Sequence, residues 1–96
     1  MDVSEFKIKQ LLEQAGGSDA LTEREKHLVG LAVTITRGCD FCTGGRIEKA
    51  LESGIEYETV RATIDLVGAV NAGVALRTAL LGADKVEACN DGTCEA

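Results

Sequence analysis

Aromatic residues are almost absent from this chain of 96 residues, which contains only Phe6, Phe41 and Tyr57 and has no tryptophan or proline. Because 45% of the residues are nevertheless apolar, a core has to be built from leucine, valine, isoleucine and alanine. That mixture packs best as helices, and a chain of this length forms one domain. The composition therefore predicts a single all-α domain over residues 1–96.

The charge balance excludes several classes of partner. Sixteen acidic and ten basic residues leave a formal charge of −6, which repels nucleic acid backbones and anionic lipid surfaces. We find no apolar run near the roughly 18 residues that a membrane span needs, and no signal peptide pattern in residues 1–10. We therefore expect a cytoplasmic protein with no nucleic acid partner and no membrane association.

Glycines and capping residues divide the first half of the chain into helices. Residues 1–17 form a first amphipathic helix that stops at a glycine pair. Thr22 and Glu25 make a capping-box pattern, so a second helix is predicted to start near Leu21. It is predicted to end near Gly38, where the chain can leave the right-handed helix.

Two further segments follow. Residues 42–53 are predicted to form a third helix that stops at Gly54, and residues 56–86 one long helix or two, with a bend near residues 71–73. This last segment is apolar around much of its circumference. That surface is buried either in a contact between subunits or at the centre of the monomer's own helical bundle.

The spacing of the cysteines is the main evidence for a chemical function. Without an export signal, four cysteines indicate catalysis or metal binding rather than a secreted scaffold. Cys39 and Cys42 form a CxxC, whose sulfurs can meet in the first turn of a helix, where the helix dipole favours the thiolate. The same spacing also fits half of a zinc site or an inert buried pair. A helix starting only at Arg46, after two glycines, would weaken the dipole argument.

Two further side chains are candidates for the same site. Arg46 lies one turn beyond Cys42, where it either stabilises a thiolate or is simply a solvated surface residue. His27, the only histidine, is either a partly buried structural residue or a base. A chain reversal at Gly38 would bring Cys42 and Arg46 towards it.

A second cysteine pair, Cys89 and Cys94, brackets an Asn-Asp-Gly turn in the tail formed by residues 88–96. A mobile tail of this kind could relay electrons to Cys39 and Cys42. The simpler interpretation is a flexible terminus with incidental thiols. A third interpretation joins both pairs around one zinc ion.

Four stretches of the chain resemble the carboxymuconolactone decarboxylase family, specifically its AhpD-like alkylhydroperoxidase branch: Leu21–Glu25, Leu28–Val33, Gly38–Cys42 and Ala50–Gly54. Members of that branch are all-helical homo-oligomers, often trimers or hexamers, that reduce peroxides or disulfides with a Glu, a CxxC and a His. The resemblance implies an AhpD-like helical bundle in a homo-oligomer, with Cys42 as the attacking thiol and Cys39 as the resolving thiol.

The chain departs from the family pattern at two positions. His27 stands where the family has Glu, twelve residues before Cys39, and Arg46 stands where the family has His, four residues after Cys42. The family's proton relay is therefore altered. Our hypothesis is that His27 supplies a base while Arg46 stabilises the thiolate.

The sequence thus predicts a thiol-dependent redox protein with peroxiredoxin activity or disulfide reductase activity. One alternative is a non-enzymatic oligomeric or metal-binding protein on the same fold. The other is lactone chemistry, which the CxxC disfavours because the decarboxylases of the family typically lack it. No phosphate-binding loop or histidine cluster is visible, so we predict no cofactor and no bound metal. The sequence does not identify the electron donor.

Overall fold

Four α-helices make up most of the chain. The computed structural model describes the backbone of residues 1–90 and the side chains of residues 1–87. A 3-10 turn at Val3–Glu5 precedes the four helices, which are α1 (Ile8–Gly16), α2 (Glu23–Arg37), α3 (Asp40–Glu52) and α4 (Tyr57–Asn90). The prediction of an all-α fold is confirmed.

Both ends of α2 form as their residues predict. The Thr22 hydroxyl accepts a hydrogen bond from the Glu25 N–H at 3.1 Å, and the Glu25 carboxylate accepts one from the Thr22 N–H at 2.8 Å. This capping box satisfies N–H groups that the first turn leaves unpaired. At the other end, Gly38 has a φ of 76°, a left-handed conformation that favours glycine. The helix therefore stops there and the chain reverses.

Thr22→Ala is expected to lower the free energy of unfolding by about 1 kcal/mol, the usual cost of a lost N-cap.

The Thr22 N–H, and secondarily its hydroxyl, hold the pKa of the Glu25 carboxyl below its ordinary value. A depressed folded-state pKa adds stability above the unfolded pKa, and this contribution disappears as the pH falls through the folded-state pKa. Urea unfolding at pH 7 and at pH 3 should therefore show a smaller difference for Glu25→Gln than for the wild type. An equal pH dependence of the unfolding free energy in Glu25→Gln and in the wild type would contradict the lowered pKa of Glu25.

A small core joins α2, α3 and the start of α4. Its buried residues are Leu31, Ala50, Ile55 and Val60, with Leu28, Ile35 and Ile47 packed against them. At the surface, the Asn71 amide donates a hydrogen bond to the Thr36 hydroxyl at 3.0 Å and ties α4 to α2. These contacts fix α3 against α2, which is what positions the cysteines.

The first, third and fourth helices differ from the prediction in detail. Of the first helix, predicted over residues 1–17, only Ile8–Gly16 is α-helical, after the 3-10 turn at Val3–Glu5. The third begins at Asp40, so Gly44 and Gly45 are helical and the later start at Arg46 is wrong. The fourth runs without a break through residues 71–73. Of the two options for this segment, the chain therefore adopts one long helix.

Most of α4 is exposed. Apart from Val60 and Val67, its described large apolar side chains are exposed, and the radius of gyration is 19.0 Å, against about 13 Å for a compact chain of 100 residues. Residues 57–87 include a stretch that is long and apolar enough, by length and composition alone, to cross a membrane. The expectation from the sequence that no apolar run approaches the length of a membrane span is therefore wrong. Asp65, Asn71 and Arg77 interrupt the stretch and obscure it in the sequence.

Candidate functional site

The first turn of α3 holds the first cysteine pair. Cys39 is the N-cap residue of this helix, and its Sγ accepts a hydrogen bond from the Cys42 N–H at 3.2 Å. The two residues are joined by a disulfide, with their Cα atoms 5.3 Å apart, within the usual range for such bonds. The predicted arrangement of a CxxC at a helix N-terminus is therefore present.

The link between α2 and α3 fixes the orientation of this turn. The Cys39 N–H donates to the Thr34 carbonyl at 3.1 Å, and the Thr43 hydroxyl donates to the Thr34 hydroxyl, also at 3.1 Å. The Thr34 hydroxyl in turn donates to the Leu31 carbonyl. Thr34 thus contacts the chain on both sides of the CxxC and holds the turn against α2.

The two cysteines differ in exposure. Cys39 is partly buried, whereas Cys42 is exposed. Cys42 also lines a groove of about 460 Å³ that reaches from α3 to α1. Cys42 is therefore the more accessible residue of the pair.

The groove combines apolar and basic side chains around the disulfide. Its lining residues come from α1 and from the first turns of α3: Leu12, Gly16, Phe41, Cys42, Gly45, Arg46 and Lys49. The ring of Phe41 is 90% exposed, and no described residue forms a salt bridge with Arg46 or Lys49. The groove therefore presents two basic side chains beside the disulfide.

Arg46 lies where the sequence predicts it, one turn beyond Cys42. Its guanidinium packs against Gly30 of α2, so closely that a Cβ added to Gly30 would lie 2.6 Å from the Arg46 Cζ. The absence of a side chain at Gly30 therefore leaves the space that the guanidinium occupies. The structure brings Arg46 and Cys42 together in one groove.

His27 is farther from the disulfide than the sequence analysis anticipates. The contacts of Thr34 with Thr43 and of Gly30 with Arg46 set an antiparallel register between α2 and α3. His27 is partly buried and does not line the groove. In this register Cys42 lies level with Thr34, which is seven residues, or about 10 Å, from His27 along α2. The reversal at Gly38 is present, but it does not place His27 beside Cys42, and its role as a base stays a prediction.

Four groove residues were missed by the sequence analysis. Phe41 and Lys49 were not identified as site residues, Leu12 was assigned only to an apolar helix face, and Gly16 only to a helix end. The signal for Lys49 was the spacing of Cys42, Arg46 and Lys49 at i, i+4 and i+7. The contribution of α1 had no local signal, because it depends on how α1 lies against α3.

The tail pair lies outside these observations. Cys94 falls outside the described residues, and so does the side chain of Cys89, although the backbone at Cys89 is helical. The proposed relay through this pair, and its flexible-terminus and zinc alternatives, stay predictions.

The fold and the site define an all-helical protein with a CxxC disulfide at the N-terminus of a helix. The chain belongs to the carboxymuconolactone decarboxylase family, whose family model matches residues 7–85. It is also similar to a crystal structure of a protein from Methanobacterium thermoautotrophicum, with 31% sequence identity and a TM-score of 0.76. The match covers 84% of this chain and 93% of the other. No curated protein matches the sequence at a significant level.

Proposed function

We propose that this protein is a thiol-dependent oxidoreductase of the AhpD-like type, which reduces hydroperoxides or disulfides through Cys42 and Cys39. One observation carries the proposal: the two cysteines form a disulfide at the start of α3 with Cys42 exposed in a groove and Cys39 partly buried. The difference in exposure supports Cys42 as the attacking thiol and Cys39 as the resolving thiol.

The proposed reaction begins with the Cys42 thiolate. With a hydroperoxide, the thiolate attacks the terminal oxygen, the O–O bond breaks, and the alcohol leaves with a proton while Cys42 becomes a sulfenic acid. The Cys39 thiol then attacks the Cys42 sulfur, which forms the disulfide and releases water. With a disulfide substrate, Cys42 forms a mixed disulfide and Cys39 displaces the second thiol. In either case a thiol or dithiol donor must return the protein to its reduced form.

Local electrostatics support Cys42 as the attacking thiol and Cys39 as the resolving thiol. The Cys42 N–H that points at Cys39 Sγ, together with the positive end of the helix dipole, favours a thiolate at Cys39. A stable Cys39 thiolate is a good leaving group when a donor thiol attacks the exposed Cys42 sulfur. Arg46 stands one helical turn beyond Cys42, and its positive charge would favour a thiolate on Cys42 in the reduced protein.

The small size of the ring argues against a purely structural disulfide. The bond closes a loop of four residues, Cys39 to Cys42, and a loop this short restricts the unfolded chain by only about 2 kcal/mol on the chain-entropy model. The fold is held instead by the contacts of α3 with α2, which do not depend on the bond. The protein is therefore expected to keep its fold when the pair is reduced.

The test is the pH dependence of thiol alkylation in reduced, metal-free protein, measured for each cysteine by mass spectrometry. Cys42 is expected to react well below the ordinary thiol pKa of about 8.5. Reduced protein mixed with one equivalent of cumene hydroperoxide or of bis(2-hydroxyethyl) disulfide should form the Cys39–Cys42 bond faster than free cysteine oxidises at the same pH.

Other outcomes would contradict the proposal. If both thiols stay inert until alkaline pH and the purified protein holds stoichiometric zinc, the pair is structural or metal-binding. If a lactone-processing activity survives when both cysteines are replaced by serine, the chemistry is that of the family's decarboxylases.

The proposal extends to assembly. We propose a cytoplasmic homo-oligomer, a trimer or hexamer, in which copies of α4 cover one another. The exposed apolar residues of α4 and the extended shape of the monomer support the association. Sedimentation equilibrium should then give a mass of three or six chains in buffer without detergent. A monomer that floats with liposomes would contradict this and indicate that α4 enters a membrane.

A further inference from the structure

We infer that Thr34 is a positioning residue for the closing step of the reaction, in which the Cys39 thiol attacks the sulfur of Cys42. This inference rests on the proposed function, because it concerns the second step of the same chemistry. Two features carry it. Thr34 contacts the chain on both sides of the cysteine pair, and the turn that holds the pair is weakly fixed from within α3.

Thr34 takes part in one hydrogen bond on each side of the pair. Its carbonyl accepts from the Cys39 N–H at 3.1 Å, and its hydroxyl accepts from the Thr43 hydroxyl at 3.1 Å. Thr43 directly follows Cys42 in the chain. Thr34, Cys39 and Thr43 are all partly buried, so water competes less for these hydrogen bonds than at an exposed site. One residue of α2 therefore holds both ends of the CxxC turn.

The first turn of α3 is weakly fixed from within the helix. Its N-cap is Cys39, and sulfur is a weaker acceptor than the oxygen of the preferred N-cap residues. Gly44 and Gly45 follow the turn, and each helical glycine costs about 1 kcal/mol relative to alanine. A Cβ added at either glycine would meet no atom within 4 Å, so packing within the described chain does not require glycine there. The position of the turn therefore depends on its contacts with α2.

These contacts matter most when the disulfide is absent. In the reduced protein no covalent bond holds the two sulfurs together, so the closing rate depends on how often the Cys39 thiolate lies beside Cys42. A loosened turn would lower that fraction, and closing the bond would cost more conformational entropy. The first step, the attack of Cys42 on an external molecule, does not need Cys39. Thr34 should therefore act on closure and leave the attack unchanged.

The experiment follows reduced protein mixed with bis(2-hydroxyethyl) disulfide. The Cys42 thiolate displaces one 2-mercaptoethanol and forms a mixed disulfide. The Cys39 thiolate then breaks that bond, forms the Cys39–Cys42 disulfide and releases the second 2-mercaptoethanol. Acid quenching and peptide mapping by mass spectrometry measure both steps, at a reagent concentration high enough for closure to limit the rate.

Thr34→Val removes the hydroxyl that Thr43 contacts and keeps the backbone carbonyl. Its closing step should slow by about threefold to tenfold, the factor that corresponds to one lost hydrogen bond, while the attack by Cys42 keeps its rate. The equilibrium constant for oxidation of the pair by the cyclic disulfide of dithiothreitol should fall by a similar factor. Thr34→Ser, which keeps a hydroxyl, should behave like the wild type.

Two further variants locate the effect. Thr43→Val should slow closure as Thr34→Val does, and it provides the same test if Thr34→Val does not fold. The double variant should be no slower than either single variant, because all three lose the same contact. Thr36→Val is the matched control. It removes a hydroxyl of α2 that accepts from the Asn71 amide and should change neither step.

Gly44→Ala tests the weakness of the turn itself. Alanine strengthens the helix between the first turn and the rest of α3. Combined with Thr34→Val, it should therefore recover part of the lost closing rate. The absence of any recovery would overturn the explanation through a loosened turn.

The outcomes separate this inference from the proposed function. A wild-type closing rate in both Thr34→Val and Thr43→Val overturns the positioning role and leaves the redox function intact. Equal slowing of attack and closure, or the same slowing in Thr36→Val, would show a general structural role and also overturn it. If the disulfide reagent oxidises the wild-type pair no faster than free cysteine, the proposed function itself fails.

Discussion

Cys39→Ser is expected to trap a covalent adduct on Cys42 when the reduced protein meets a disulfide substrate. Cys42 attacks and forms the mixed disulfide, but no resolving thiol follows to release it. Serine is among the best N-cap residues, so the start of α3 should keep its structure in this variant. Peptide mapping by mass spectrometry, which separates Cys42 from Cys89 and Cys94, should show an adduct on Cys42 that persists until a reductant is added.

Cys42→Ser is the matched control for that experiment. A hydroxyl is a far weaker nucleophile than a thiol, and the remaining Cys39 is partly buried, so adduct formation should be slower than in Cys39→Ser. Circular dichroism should give the same helix content for both variants. Faster adduct formation on Cys39 than on Cys42 would reverse the assigned roles of the two thiols.

Leu31→Ala is expected to lower the free energy of unfolding by about 3 kcal/mol, since deleting a fully buried leucine side chain leaves a cavity. Leu31 is 0% exposed and belongs to a core of only four buried residues. A domain this small has little stability in reserve. Urea unfolding followed by circular dichroism, at one fixed protein concentration, would measure the change.

Val33→Ala provides the comparison for Leu31. Val33 lies two residues further along α2 and is 54% exposed, so its loss should cost less than about 1 kcal/mol in the monomer. An equal cost at the two positions would mean that the exposed face of α2 is covered in solution and that the core extends beyond a single chain.

The parts of the fold that the sequence predicts are those governed by local interactions. The capping box at Thr22 and the left-handed conformation of Gly38 depend only on neighbouring residues, and both form as expected. The disulfide follows from the spacing of Cys39 and Cys42 at a helix start. Each depends on a few consecutive residues, whose preferences do not need the rest of the chain.

The features that sequence reasoning missed depend on contacts between helices. The distance between His27 and Cys42 follows from the register of α3 against α2, which the contact of Thr43 with Thr34 shows. The groove also needs Leu12, from a helix with no buried residue. No periodicity within α1 or α3 contains that information, because it arises only when the helices meet.

The packing of Arg46 on Gly30 makes the position of the guanidinium depend on the residue at position 30. A side chain at position 30 would displace the end of Arg46 from its observed place. Because that end belongs to a long, flexible side chain, it can move without a shift of either helix. A substitution on α2 would therefore move a positive charge that α3 carries.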